Sequence, residues 1–271
     1  LDPHRATDLV SQEVLANVCE PLVRLRPDGV RGEAALATTW TTLDNRTWTF
    51  TLRPGVRFHD GAPLDADAVL ANFRNLVQLK ALRGSGERVG PLALHLTLEQ
   101  PNAALLATLS QPGFCILSPR ALRGEAHAPV GTGPFRLESS QPGQVELAAF
   151  DAHWGGPPRL RQLVFRRYQG EPALIEALRG GQADVSSAVG VPSAAQVRAL
   201  GLTLDSRTGL NVCFLAMNHE RAPFGDRRVR EAISRTVDRA AILRRALGGH
   251  GEVARGPLPP LLAAAWRPAS R

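Results

Sequence analysis

The sequence predicts a mixed α/β fold, and three patterns support this class. Residues 45–58 alternate apolar and polar positions at a period of two, and residues 66–77 then change to helical spacing. Residues 92–98 repeat the strand alternation, with a leucine at every second position. Residues 171–218 place helix-like and strand-like segments in turn. Strands and helices that interleave along one chain are typical of domains in which helices cover a sheet.

The amino-terminal region predicts a loop followed by a helix. Residues 1–8 form a short polar segment. The stretch after it carries apolar residues at helical spacing, namely Val14, Leu15, Val18, Leu22 and Val23. Pro21 interrupts this pattern, because proline lacks the amide hydrogen that continues a helix. We therefore expect a surface helix that packs on a sheet.

The next predicted element is a β-hairpin. Residues 48–52 carry an apolar side chain at every second position, which gives a strand one apolar face. Pro54-Gly55 then offers turn chemistry, because proline fixes φ and glycine tolerates a positive φ. Val56 and Phe58 resume the alternation. The pattern predicts that these residues pair with the strand before the turn.

A helix is predicted after the hairpin. Residues 60–63 break the strand pattern, and Asp65 follows at the position of a helix cap. A carboxylate at that position accepts hydrogen bonds from the free amides of the first turn. The apolar residues that follow fall on one helical face: Val69, Leu70, Phe73, Leu76 and Val77.

The middle of the chain predicts several strands. Residues 92–98 form one strand, and the pattern becomes helical after Pro101. His95 falls on the polar face of this strand, which favours a solvent-facing or hydrogen-bonded histidine over a ligand-binding one. Further strands are predicted from Phe135, over residues 144–150 and over residues 160–168.

The carboxyl-terminal part predicts helices and strands in alternation. A helix that begins near Pro172 stops at Gly180-Gly181, and Ser193 is placed to cap a second helix that ends at Gly201. Strand-like segments are predicted over residues 202–207 and 211–218. One long helix is predicted from Asp226 to Gly248-Gly249, with an apolar stripe made of Val229, Ile233, Val237, Ala240, Leu243 and Leu247.

Composition indicates an ordinary globular protein. The chain has 271 residues, of which 44% are hydrophobic, so it can bury a substantial core in one or two domains. No apolar run approaches the roughly 18 residues of a transmembrane helix. The chain opens at Leu1-Asp2-Pro3 without a basic or apolar leader, so we expect any signal peptide to have been removed or to lie outside this sequence.

The positive charge does not predict a nucleic-acid partner. The formal net charge is +7, and arginine carries nearly all of the positive charge because Lys80 is the only lysine. The arginines are scattered, and the few aromatic residues do not alternate with them as they do in a base-stacking surface. A solvated basic surface is the simpler interpretation, and no nucleic-acid partner is expected.

The cysteines do not indicate a metal or redox motif. Cys19, Cys115 and Cys213 are far apart, and no C-x-x-C pair occurs. Apolar neighbours favour a small buried hydrophobic role for each of them. One disulfide is possible in an oxidising compartment, but the sequence does not select the pair.

No catalytic motif is present in the sequence. It contains no G-x-S-x-G, no H-E-x-x-H, no phosphate-binding P-loop and no dinucleotide fingerprint. The carboxylates are spread without a recognisable acid and base pair. The sequence therefore predicts a protein that is not an enzyme and that has no cofactor or metal.

Three long segments carry a resemblance to a known family. TWTFTLRPGVRFHDGAPLDADAV (residues 47–69) is the most specific, and residues 129–168 and 223–260 add two more. They resemble the extracytoplasmic solute-binding proteins of peptide and nickel ABC importers, bacterial solute-binding protein family 5. The resemblance implies a periplasmic-binding-protein-like (class II type) core lobe with a mixed β-sheet and an inserted β-rich subdomain.

The resemblance also implies a domain division. The core lobe is discontinuous, over residues 1–36 and 169–260, and the inserted subdomain covers residues 37–168. Residues 261–271 would begin the link to a second lobe, which this sequence does not contain. Whether the chain is a fragment or a naturally truncated protein stays open. A single lobe has no second wall to close over a solute, so we expect the chain alone to bind weakly or not at all.

Candidate ligand contacts follow from the same resemblance. In that family three parts of the chain line the ligand cleft. They are the loop after the LDP motif, a position that carries an arginine in nickel-binding relatives, and a strand that runs under the cleft. In this sequence these positions are His4, Arg5, Ala6 and Thr7, then Gln111, and then Asn211 and Phe214. The uncharged Gln111 counts modestly against an anionic metal complex as the solute. For Phe214, a plain core-strand role is at least as well supported.

The function that the resemblance implies is solute binding for import. The protein would be a monomeric substrate-binding component that presents a peptide or related small solute to the transmembrane permease subunits of an ABC importer. Nickel complexes, haem, glutathione-like solutes and sugars stay open as ligands. The location would be periplasmic or extracytoplasmic, either free or as a membrane-anchored lipoprotein. The alternative is a truncated sensing or scaffold module without transport.

Overall fold

The structure is a computed structural model that describes residues 1–6, 8–26, 31–78, 82–126, 128–187, 189–190, 193–206, 209, 211–254 and 256–259. The chain divides into two compact units, Leu1–Arg167 and Tyr168–Arg271. In the described ranges, no helix is both long enough and apolar enough to cross a membrane.

Strands and helices alternate in the described part of the first unit. The strands are β1 (Val23–Leu25), β2 (Gly32–Ala34), β3 (Ala37–Thr42), β4 (Thr47–Leu52), β5 (Gly84–Gly90), β6 (Ala93–Leu98), β7 (Phe135–Gln141), β8 (Gln144–Ala149) and β9 (Gln162–Arg166). The helices are α1 (Leu9–Val18), α2 (Ala66–Gln78), α3 (Leu105–Leu109) and α4 (Pro119–Leu122), with a 3-10 turn at Pro112–Phe114.

The main core lies between a four-stranded antiparallel sheet, ordered β3-β4-β6-β5, and helix α2. Phe50 of β4 lies opposite Leu94 of β6, and both are fully buried. The intervening threonines of β4 are more exposed, as the period-two pattern predicts. Asp65 caps α2 by accepting a hydrogen bond from the Ala68 amide at 2.8 Å, which confirms the predicted cap.

A second core forms between helix α1 and the three-stranded sheet β7-β8-β9. Val14 and Val18 of α1 pack on Phe135 and Leu147. The strands β7, β8 and β9 lie where the sequence predicts strands, and so does β6. Helix α1 confirms the predicted surface helix packed on a sheet.

The predicted hairpin around Pro54-Gly55 is wrong. Strand β4 pairs with β3 and β6, and residues 56–58 do not join it. The Phe58 amide instead donates to the Ala62 carbonyl, and the Leu64 amide donates to the Val56 carbonyl. The chain therefore turns at Asp60-Gly61, where Gly61 adopts φ +84°. The chain also turns at Pro54-Gly55, where Gly55 adopts φ +75°, but the residues after this turn pair with residues 62–64 instead of β4.

A disulfide joins Cys19, at the carboxyl end of α1, to Cys115. These two cysteines are buried, as the sequence predicts. Cys213 is free and exposed, so the prediction of a buried role is wrong for this residue. Its apolar neighbours Phe214 and Leu215 are exposed as well, and the segment has no hydrophobic environment to bury the thiol.

The described part of the second unit is helical. Its helices are α5 (Gly170–Arg179), α6 (Ala194–Ala199), α7 (Arg227–Thr236) and α8 (Arg239–Ala246). Ser193 precedes α6, but its side chain makes no capping hydrogen bond. Residues 202–206 and 211–218 form no strand, contrary to prediction. A strand needs a hydrogen-bonded neighbour, and none of the strands that the structure describes lies in this unit.

The single long helix predicted from Asp226 is two helices. Asp226 caps α7 as predicted, by accepting from the Arg228 amide at 2.8 Å. Val237 leaves the helix with ψ 108°, and Asp238 then caps α8 by accepting from the Ala241 amide at 2.8 Å. The aspartate ends the helix here because its side chain favours a cap over an interior position.

Candidate functional site

The amino-terminal loop, residues 1–6, lies beside a pocket of the first unit, a cavity of about 360 Å³ that its first five residues line. Asp2 organises the loop, because its carbonyl accepts from the amides of Arg5 and Ala6 at 3.1 and 2.8 Å. The pocket is lined by Leu1, Asp2, Pro3, His4, Arg5, Asn75, Leu117, Ala121, Leu122, Gly124, Ala126, Ala128 and Pro129. Two of the predicted contacts, His4 and Arg5, therefore share one pocket.

His4 is fixed by hydrogen bonds on both ring nitrogens. Its Nε2 lies 3.0 Å from the Cys115 carbonyl oxygen, and its Nδ1 lies 2.7 Å from the Asn75 amide nitrogen. A carbonyl can only accept, so Nε2 carries the proton and Nδ1 accepts from Asn75. The polar ring atoms of His4 are thus used within the protein, and its ring face is what remains for a ligand.

Arg5 is the most available charge of the pocket. Its side chain is 74% exposed, and its Nε lies 3.7 Å from the Asp2 carboxylate, a distance too long for a strong hydrogen bond. The guanidinium therefore keeps most of its donors free. Ala6 packs against the cluster around the Cys19–Cys115 disulfide. Thr7 lies outside the described residues.

The other predicted contacts do not line this pocket. Gln111 is exposed and precedes the 3-10 turn Pro112–Phe114. Its neighbours Ser110 and Pro112 line a smaller cavity of about 160 Å³. Asn211 and Phe214 belong to the second unit, and Phe214 is 79% exposed there.

A buried carboxylate that the sequence analysis did not select lies at the centre of the first unit. The Glu20 side chain is only 1% exposed. It accepts hydrogen bonds from Trp154 Nε1 at 2.7 Å, Thr132 Oγ1 at 3.0 Å and Arg24 Nη2 at 2.7 Å. His153 Nε2 lies 3.6 Å from the same carboxylate, beyond hydrogen-bond distance. The sequence feature that could have indicated this carboxylate is the segment EPLV (residues 20–23), in which Glu20 lies between apolar residues.

Glu20 stays ionised in this environment. Burial alone raises the pKa of the carboxyl group, but the contacts from His153 and Trp154 and the charge of Arg24 outweigh it, so the pKa of Glu20 lies below its usual value. The carboxylate joins three segments that are far apart in sequence, since Thr132 is 112 and Trp154 is 134 residues away. Its role is to hold these segments together.

His59 is a second buried polar group. Its Nε2 lies 2.9 Å from the Gly133 carbonyl oxygen, and its ring meets Phe150 edge-on at a centroid distance of 4.9 Å. Burial lowers the pKa of His59, so the imidazole is neutral and donates through Nε2. His59 holds the bend at residues 131–133 through Gly133, and Glu20 holds the same bend through Thr132.

The pocket combines charged and apolar side chains. It presents the exposed Arg5 guanidinium beside the Asp2 carboxylate, together with apolar side chains such as Leu117 and Leu122. In the part of the chain that the structure describes, no three His, Cys, Asp or Glu side chains come together as a metal site. A small solute with an anionic group and an apolar part matches this combination.

Comparisons with known proteins agree with this description. Residues 32–270 match the family model "Bacterial extracellular solute-binding proteins, family 5 Middle". Over 280 residues the chain is 31% identical to the glutathione-binding protein GsiB of Salmonella paratyphi A, an alignment that covers 97% of this chain and 54% of that protein. The chain spans about half the length of the curated relatives it matches.

Solved structures give the same result. A dipeptide binding protein from Pseudoalteromonas sp. SM9913, in complex with Met-Leu, matches with a TM-score of 0.82 and 26% identity over 96% of this chain and 59% of that one. DppA from Helicobacter pylori, a periplasmic binding protein in complex with the peptide STSA, matches with a TM-score of 0.82 and 25% identity over 96% of this chain and 58% of that one.

Proposed function

Because the chain belongs to the bacterial extracellular solute-binding proteins of family 5, we propose that it is the substrate-binding component of an ABC importer. In this role it binds a peptide or a related small solute and presents it to a membrane permease. The observation that carries the proposal is the family match over residues 32–270, together with the TM-score of 0.82 to a dipeptide-binding protein.

We propose that the solute contacts the pocket at the amino-terminal loop. Arg5 supplies a guanidinium with free donors, which suits the carboxylate of a short peptide. His4 forms part of the wall, and Ala6, Thr7, Gln111, Asn211 and Phe214 are further proposed contacts. Peptide and glutathione are the favoured solute classes, because relatives in the comparisons are described as binding them.

The remaining features of the role are proposals as well. The partners are the transmembrane subunits of an ABC permease, and the protein acts as a monomer, without catalysis or a cofactor. Its location is periplasmic or extracytoplasmic, and a lipid anchor is an additional feature to be tested. The core lobe would comprise residues 1–36 and 169–260, with residues 37–168 as an inserted subdomain.

Native mass spectrometry tests the proposal. The protein as its gene encodes it would be incubated with a mixed pool of short peptides and with glutathione. We expect the added mass of one solute molecule, and fragmentation of that solute would identify its class. A protein that stays unliganded with every solute would contradict solute binding.

A further inference from the structure

We infer that the Cys19–Cys115 disulfide is a positioning device for the amino-terminal loop and its pocket. The disulfide holds the Cys115 carbonyl, to which His4 is bound, and the apolar wall against which the loop packs. Reducing it would release the loop while the rest of the first unit stays folded. The effect on solute affinity rests on the proposed function, whereas the effect on loop order does not.

The disulfide belongs to a small cluster that is separate from the two larger cores. This disulfide cluster consists of Leu15, Cys19, Cys115 and Leu117, all buried. Ala6 of the loop and Ala121 and Leu122 of α4 pack against it. A cluster of this size has few apolar contacts of its own, so a covalent link contributes much of its order.

The loop is attached to this cluster at two points. His4 donates from Nε2 to the Cys115 carbonyl at 3.0 Å, and its other nitrogen accepts from Asn75 of α2. Ala6 packs on the disulfide cluster, and its carbonyl accepts from the Gln12 side chain at 3.3 Å. The first attachment lies on a disulfide residue itself, so the position of Cys115 sets the position of His4.

The pocket wall opposite the loop comes from the same cluster. Leu117, Ala121 and Leu122 line the cavity of about 360 Å³ and also belong to the disulfide cluster or pack against it. Two thiols in contact lie further apart than two bonded sulfurs. Reduction therefore moves Cys115 and the loop bound to it, while Leu117 of the facing wall stays bound to Asn72 through its amide and its carbonyl.

Other contacts keep the first unit folded without the disulfide. The Ile116 amide donates to the Glu20 carbonyl at 2.9 Å, and the Glu20 carboxylate binds Thr132 and Trp154. The two larger cores do not contain either cysteine. Because of these contacts, we expect reduction to disturb the loop without unfolding the first unit.

A small cavity adjoins the disulfide. The cavity of about 160 Å³ is lined by both Cys19 and Cys115, together with Arg24 and Ser110. Both cysteines are almost fully buried, so a variant without them is needed beside a chemical reductant.

Hydrogen–deuterium exchange tests the inference without a solute. The protein would be compared before and after treatment with a water-soluble phosphine, which takes up oxygen from water as the disulfide becomes two thiols. We expect the amides of Arg5 and Ala6 to exchange at least about tenfold faster after reduction, because their hydrogen bonds to Asp2 depend on an ordered loop. Amides of β4 and β6 should not change.

Two variants control the experiment. Cys19→Ser combined with Cys115→Ser should reproduce the effect of the phosphine, and Cys213→Ser, at the exposed free cysteine, should respond like the unmodified protein. Nitrogen-15 spectra of the imidazoles should also lose the ordered Nε2–H signal of His4. Unchanged loop exchange, or equal acceleration throughout the first unit, would overturn the inference.

Calorimetry adds the functional readout. Glutathione and Met-Leu serve as probes, and we expect reduction to weaken their binding about tenfold if the ordered loop falls to about a tenth of the population. Unchanged affinity despite a disordered loop would overturn the link between loop and solute. If the oxidised protein binds neither probe, the proposed function fails for these solutes, and the exchange experiment still decides the positioning role.

Discussion

At the scale of single residues, buried polar groups organise the first unit. Glu20 and His59 approach the bend at residues 131–133 from different segments, through Thr132 and Gly133. No local pattern indicates the role of Glu20, because its partners Thr132 and Trp154 are more than a hundred residues away. His4 and Arg5 were selected only through resemblance, since a polar loop by itself does not indicate a binding site.

Replacing Glu20 tests the role of the buried carboxylate. Glu20→Gln keeps the shape but places an amide group beside Trp154 and removes the charge that pairs with Arg24. We expect a loss of about 2–3 kcal/mol in the free energy of unfolding, measured by urea denaturation with tryptophan fluorescence. Glu87→Gln, at an exposed strand position, should change stability by less than about 0.5 kcal/mol. Equal effects of the two substitutions would contradict a central role for Glu20.

The pKa of His59 predicts a pH dependence of stability. Because burial lowers this pKa in the folded protein below its usual value of 6.5, the unfolded chain binds the proton first as the pH falls. Stability contributed by neutral His59 is therefore present above about pH 6.5 and is lost as the pH falls toward the folded pKa. The effect should be absent in His59→Gln. Denaturation curves between pH 7.5 and about pH 5 measure it, and parallel curves for the two proteins would contradict it.

Replacing Arg5 is the most direct mutational test of the proposed site. Arg5→Ala removes the free guanidinium of the pocket, and we expect it to weaken peptide binding by about tenfold through the loss of a charge-assisted contact. Arg83→Ala, another exposed arginine of the first unit outside the pocket, is the matched control. Calorimetry with Met-Leu measures both variants. Equal affinities for the two would remove Arg5 from the site.

At the scale of secondary-structure elements, periodicity predicted which segments are strands and helices better than how they pair. Strands β4 and β6 and helix α2 follow their apolar patterns closely. The predicted pairing of β4 was wrong, because an alternating pattern determines which face of a strand is buried but not which strand lies beside it. The break between α7 and α8 was missed because Val237 continues the apolar stripe while Asp238 starts a new cap.

A substitution at Gly133 tests how closely the bend at residues 131–133 approaches helix α1. A Cβ on Gly133 would lie 2.4 Å from the Asn17 carbonyl oxygen and 2.7 Å from the Val18 carbonyl carbon, both backbone atoms of α1. Gly133→Ala should therefore cost about 3 kcal/mol or more in the free energy of unfolding, because helix and bend must separate. Gly90→Ala, whose Cβ meets only Ala93 at 3.8 Å, should cost less than about 1 kcal/mol. Thermal unfolding followed by circular dichroism compares them, and similar losses would contradict the close approach.

At the scale of the whole molecule, the family match and the disulfide support the same location. The Cys19–Cys115 bridge closes a loop of 96 residues. A loop of this length restricts the unfolded chain by about 4–5 kcal/mol in the chain-entropy model. Such bridges persist in oxidising compartments, which supports an extracytoplasmic location. The sequence allowed one disulfide but did not select the pair, because pairing depends on the fold that brings α1 beside residue 115.

Isothermal titration calorimetry of the protein as its gene encodes it, with Met-Leu and with glutathione, tests the central claim most directly. A solute-binding component should take up one molecule of at least one of these solutes, with a dissociation constant of about 1 µM or tighter, which corresponds to about −8 kcal/mol. Binding heat that is absent for both solutes at millimolar concentration, in a protein shown to be folded with its disulfide formed, would contradict peptide binding.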